Sequence, residues 1–157
     1  MLHDWAIEER EYRRHQDRRG RRHAFSEISP ERSALVVIDM VPFFVEANPY
    51  AAGIVPNIQV LSHAVRSAGG VVAWVLPATT EFDSTRAEFY GARIAELYRS
   101  SGGQGPLGER LWHEFDFADG DLVVEKRTPG AFFPGGCEPP ELLQDRGIDT
   151  VLVTGTV

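Results

Sequence analysis

Lys126 is the only lysine in a chain of 157 residues that carries 15 arginines, and it closes the run Leu122-Val123-Val124-Glu125-Lys126. A compact ammonium, whose pKa moves on burial, can do chemistry that a guanidinium, always protonated, cannot. A lone lysine is ordinarily a surface residue, but this one has company. An acid, Asp39, ends the run Val36-Val37-Ile38-Asp39, and the turn Thr154-Gly155 ends Val151-Leu152-Val153. If those three run ends meet, a carboxylate and an ammonium share one rim, which is a basis for acid–base chemistry.

The elements that would position them alternate between strand and helix. Residues 34–39 form a continuous apolar run ending in an acid, the pattern of a buried parallel strand. Residues 71–76, 122–125 and 150–154 read as three further strands, with Pro77 stopping the second. The spacing predicts a helix over 55–68, with Pro56 in its first turn, Ile58, Leu61, Val65 and Ala68 on one face and Gly69-Gly70 at its end. Residues 86–99 place Phe89, Tyr90, Ile94, Leu97 and Tyr98 at helical spacing, and 138–146 form a short helix opened by Pro139-Pro140. Residues 100–108, with four glycines and a proline, form a loop; it follows a helix and lacks a Gly-Lys-Ser/Thr ending, so it does not cradle phosphate. Strands separated by helices give a three-layer, Rossmann-like α/β fold with a mostly parallel sheet. In such sheets ligands bind beyond the carboxyl ends of the strands, where Asp39, Lys126 and Gly155 all fall.

Composition bounds the rest. Hydrophobic residues make up 43 % and no apolar run approaches a membrane span. The start lacks the apolar core of a signal peptide, and a single cysteine, Cys137, fits a reducing compartment, so the expected location is cytoplasmic. The net charge of −7 divides into +2 over residues 1–23, with seven arginines and five acids, and −9 over the remainder. An acidic body and an arm interrupted by acids disfavour nucleic acid; the arm reads as a solvated or subunit-contact helix. The organisation expected is an Arg-rich arm over 1–24 and a domain over 25–157. The last strand, apolar and followed by four residues after Val153, calls for cover on both faces. The expectation is therefore a domain truncated after its fourth strand, completed by a C-terminal continuation or a complementary fragment.

The residues carry a resemblance. Ala34-Leu35-Val36-Val37-Ile38-Asp39-Met40 with Phe43-Phe44, the segment from Ile54 to Val72, Gly120-Asp121-Leu122-Val123-Val124-Glu125-Lys126-Arg127 with Gly130-Ala131-Phe132, and the segment from Arg146 to Val157 are similar, in order, to motifs of the isochorismatase-like cysteine hydrolases. That resemblance implies an Asp-Lys-Cys catalytic group, with Asp39 as the acid position, Lys126 as the lysine, and a cysteine shortly past Val157. Val41-Pro42 departs from the polar residues usual there. The implied activity is metal-independent hydrolysis of an amide or ureido C–N bond in a small molecule, with no cofactor. Phe44 and Phe132 would line the substrate pocket, and backbone N–H groups at Gly155, Thr156 and Val157 would hold the oxyanion. The alternatives are a vinyl-ether hydrolase of isochorismatase type, with no need for the thiol, and a non-catalytic interaction module. The expected partners are the small-molecule substrate and further copies of the chain in a homo-oligomer, with neither nucleic acid nor membrane.

Other candidates carry less. Cys137 lies in a loop away from the nucleophile position and reads as a free thiol. His63 is off the apolar stripe of its helix, and His113 has no second histidine at ligand spacing. The nicotinamidase branch of the family holds a metal with an acid and nearby histidines, whereas residues 77–90 offer Asp83 and no histidine, so no metal is expected. Trp74 reads as core.

Overall fold

The computed structural model describes residues 6–79, 84–128, 130–133 and 137–156, and not the side chains of 84–86. Asp83 and Val157 lie outside the described residues. Four strands, β1 (Ser33–Ile38), β2 (Val71–Pro77), β3 (Leu122–Lys126) and β4 (Thr150–Gly155), form one parallel sheet in the order β3-β2-β1-β4. Alternation along the strands divides the apolar side chains between the two faces. Leu35, Val37, Val72, Trp74 and Leu76 join one core cluster, and Ala34, Val36, Ala73, Val75 and Val124 join a second. The three-layer architecture read from the sequence is the one observed.

The helices are α1 (Glu9–Arg19), α2 (Pro42–Val45), α3 (Pro49–Ser67), α4 (Ser84–Tyr90), α5 (Ala92–Ser101) and α6 (Pro139–Asp145). Helix α3 covers the first core cluster with Ala51, Val55, Ile58 and Val65, while Leu143 of α6 joins the second with Ile148 and Cys137. Trp74 is wholly buried, and its indole N–H donates to Asp121 at 2.7 Å. Helix α1 buries nothing; its Glu9 and Glu11 at the start and Arg18 and Arg19 at the end complement the helix dipole.

Two boundaries differ from the sequence reading. Helix α3 begins six residues earlier than expected, because Asn48 caps it by accepting from the Tyr50 N–H and Pro49, not Pro56, occupies the first turn. Pro56 sits inside the helix, where burial of Val55 and Ile58 outweighs the missing N–H. The 86–99 helix is two helices, broken at Gly91, whose φ of +83° is incompatible with continuing the turn. Helix α2 carries no signal in the sequence long enough to read. Strand β4 is an edge, with Val151 and Val153 exposed. Among the described residues, no helix is long and apolar enough to cross a membrane.

Candidate active site

The register sets the site. Pro77 pairs with Lys126 across β2 and β3, and Ile38 pairs with Val75 on one side and Gly155 on the other. Asp39, one residue past β1, therefore meets Lys126, with Lys126 Nζ 2.8 Å from Asp39 Oδ2. Both are buried, with 5 % of Asp39 and 9 % of Lys126 exposed, so little solvent screens the pair.

The backbone around Asp39 is unusual. Its φ is +57°, the only positive value among non-glycine residues described. Aspartate tolerates this left-handed region better than most residues, yet holding it there costs about 1–2 kcal/mol. Three bonds keep it in place. The Asp39 N–H donates to Val75 O at 2.9 Å, its carbonyl accepts from the Val41 N–H at 2.9 Å, and the Thr156 hydroxyl donates to the same carbonyl at 3.1 Å. The constraint aims the carboxylate at Lys126 and leaves Asp39 Oδ1 buried with no hydrogen-bond partner among the described residues. A buried acceptor without a donor is costly, and such groups are rare outside functional sites. Burial pushes the Asp39 carboxyl above the usual carboxylate range, an effect opposed but not cancelled by the hydrogen bond and charge of Lys126.

A cavity of about 530 Å³ opens over this pair. Asp39, Lys126 and Thr156 supply its polar residues together with Ser101, while Phe43, Phe44, Ile94, Leu97, Pro77 and Tyr98 are among its apolar and aromatic ones. Of the residues expected at the pocket, Phe44 and Thr156 line this cavity. Phe132 is not among the lining residues and is 41 % exposed; Gly130 and Ala131 line the cavity instead.

Thr156 departs from its expected task. Its N–H donates to Ile38 O at 2.9 Å and its hydroxyl to Asp39 O, so neither is available to an oxyanion. Both donors of Thr156 hold the end of β1. Gly155 pairs with Ile38 at φ +116° and brings β4 against the β1 backbone.

The sequence reading missed Arg110, which is 5 % exposed. Its guanidinium donates to the carbonyls of Pro77 and Gly102 and, at 2.6 Å, to Glu125. It ties the end of β2, the end of α5 and the residue before Lys126 to one another. An arginine after a glycine-rich loop gives no sign of burial, so no signal in the sequence marks it.

Cys137 is buried in the second core, and its thiol lies 3.3 Å from Glu125 O. Burial pushes the thiol up to about 11, which leaves about one thiolate in ten thousand at pH 7. His63 is exposed, 3.6 Å from Asp116, and the His113 ring lies against Trp112. Among the described residues, no cluster of three or more His, Cys, Asp or Glu is placed to hold a metal ion.

Comparison with known proteins points to one family. The family model described as the isochorismatase domain matches residues 33–157. The uncharacterized isochorismatase family protein YwoC of Bacillus subtilis (strain 168) is 31 % identical over 134 residues, which are 82 % of this chain and 65 % of that protein. The chain therefore spans less than two thirds of that relative. An isochorismatase family protein of Desulfovibrio vulgaris is 33 % identical with a TM-score of 0.61, over 80 % of this chain and 67 % of its own. N-carbamoylsarcosine amidase of Thermoplasma acidophilum is 28 % identical with a TM-score of 0.63, over 79 % and 67 %. The match across residues 33–157, which is most of the chain, shows that it belongs to the isochorismatase domain family.

Proposed function

We propose that the protein hydrolyses a C–N bond, amide or ureido, of a small molecule, using Asp39, Lys126 and a cysteine carried by polypeptide that follows Val157. The observation that carries the reading is the buried Asp39–Lys126 pair, which lines the cavity and leaves one carboxylate oxygen, Oδ1, without a hydrogen-bond partner among the described residues. A thiol is mostly protonated at neutral pH and attacks as the thiolate. Asp39 Oδ1 accepts that proton, and Lys126 steadies the thiolate that forms. Sulfur then bonds to the carbonyl carbon, and the tetrahedral oxyanion collapses as the C–N bond breaks. The leaving nitrogen takes the proton held on Asp39. Water attacks the thioester, giving a proton to Asp39 again, and the acid leaves as the thiolate is restored. The amidase among the similar structures supports C–N cleavage over vinyl-ether hydrolysis.

The decisive experiment is alkylation of the full-length protein. Ammonia release from a panel of small primary amides and ureas should stop on treatment with iodoacetamide. The adduct should map to a cysteine past Val157, with Cys137 reacting far more slowly because of its raised pKa. Full activity after every accessible cysteine is modified would end the proposal.

A pH dependence follows from Asp39. The carboxylate form accepts the proton, and its pKa is raised from 3.8. The acid limb of kcat/KM, which reports the free enzyme, should therefore lie above 3.8, with activity falling as pH drops through that raised value. Lys126→Met removes the influence that lowers it, so the Asp39 carboxyl, followed by NMR, should titrate higher still. A downward move in that variant would contradict the assignment.

A further inference from the structure

We infer that the site takes an uncharged amide or urea whose non-reacting part is an aromatic ring or a branched aliphatic group held by α2 and α5; this rests on the hydrolase reading above. Helix α5 presents Ile94, Leu97, Tyr98 and Ser101 to the cavity, positions spaced by three, four and seven residues and therefore on one helical stripe. Three of these are large apolar or aromatic side chains, yet Ile94, Leu97 and Tyr98 remain 40–43 % exposed. They are exposed because they face the cavity rather than the core. Helix α2 adds Phe43 and Phe44, packed edge to face with ring centroids 5.0 Å apart.

The polarity of the cavity is therefore divided. Asp39, Lys126 and Thr156 mark the reacting end, and the two helices supply the apolar part. A ligand with one polar carbonyl group and one apolar body fits in a single orientation, with the carbonyl at the pair. A carboxylate on the body would be stripped of water against phenylalanine, leucine and isoleucine, with no free cation beside it among the described lining residues. Lys126, the one cation among the described lining residues, is already engaged with Asp39, so an anion reaching it would compete with that carboxylate. The buried guanidinium of Arg110 is directed at Pro77, Gly102 and Glu125.

The test compares benzamide with succinamate as substrates of the full-length protein. Wild type should favour benzamide in kcat/KM by about tenfold or more. Leu97→Arg should move that ratio by about tenfold toward succinamate, chiefly through KM. Equal or better turnover of succinamate by wild type would overturn the inference, and that comparison needs no variant. An unmoved ratio in a Leu97→Arg protein that melts normally would also overturn it. So would dissociation of an oligomer on that substitution, which would make the stripe a contact with a second copy. If neither amide is hydrolysed, the hydrolase reading is at fault for amides, and ligand-induced thermal shift decides the present point alone. Stabilisation by benzamide and not succinamate upholds it; the reverse overturns it.

Discussion

Lys126→Arg should lower turnover by about a hundredfold while shifting the melting temperature by no more than about 2–4 °C. The substitution keeps the charge, and that is why it separates two explanations. Lys126 contacts Asp39 Oδ2 at 2.8 Å, and Oδ1 has no hydrogen-bond partner among the described residues. A guanidinium binds carboxylates through two parallel N–H donors. Arginine at 126 would take both oxygens and occupy the acceptor that the mechanism needs. It would also hold the carboxylate ionised more firmly, making it a poorer base. The buried pair stays neutralised, so stability changes little. Turnover and melting measured together decide the matter. Near wild-type turnover with a normal melt would reduce Lys126 to a structural charge and remove the basis of the active-site assignment.

The contact that this substitution probes was legible in part. Asp39 and Lys126 were identifiable because each follows a buried apolar run, and a parallel sheet brings the carboxyl ends of its strands to one rim. The strands themselves were clear for the same reason: 34–39 and 71–76 are too short and too apolar to be anything else between breakers. Turn chemistry was less readable. Pro49 and Pro56 both suit a helix start, and only the Asn48 cap and the burial of Ala51 choose the earlier one. Gly91 could have been tolerated within a helix; its positive φ is a property of the folded chain.

What the sequence could not reveal was set by tertiary contacts. No local pattern says that Asp39 adopts φ +57°, that one of its oxygens lacks a donor among the described residues, or that both Thr156 donors turn inward. Ile94, Leu97 and Tyr98 were visible as a helical face, but an apolar face looks the same whether it meets a core or a cavity; Ser101, which closes the stripe, fell in a segment read as loop. Phe132 illustrates the converse error: its place beside the lysine motif suggested a pocket wall, while the chain turns so that Gly130 and Ala131 fill that position.

Gly155→Ala should cost about 4–8 kcal/mol of stability and abolish activity, whereas Gly147→Ala should cost only about 1 kcal/mol. Both glycines have positive φ, +116° at 155 and +72° at 147, so an added methyl group strains both backbones. Their surroundings differ. A Cβ at Gly147 would meet nothing within 4 Å. A Cβ at Gly155 would stand 2.7 Å from Ile38 N and 2.9 Å from Ile38 C, and closer still to Ile38 O. These are backbone atoms of the central strand β1 and cannot rotate away as a side chain could. To admit the methyl group, β4 must separate from β1 where Ile38 pairs with Gly155. The Thr156 bonds to Ile38 O and Asp39 O go with it, each worth about 1 kcal/mol. Overpacking and backbone strain contribute about 1–3 kcal/mol each. Asp39 loses the clamp that holds its left-handed backbone, and its carboxylate no longer meets Lys126 in the same geometry. Urea unfolding of the two variants beside wild type, with turnover of each, measures the contrast. Equal costs at the two positions would mean that strand contact adds nothing to backbone strain, and the close approach of β4 to Asp39 would lose its role in building the site.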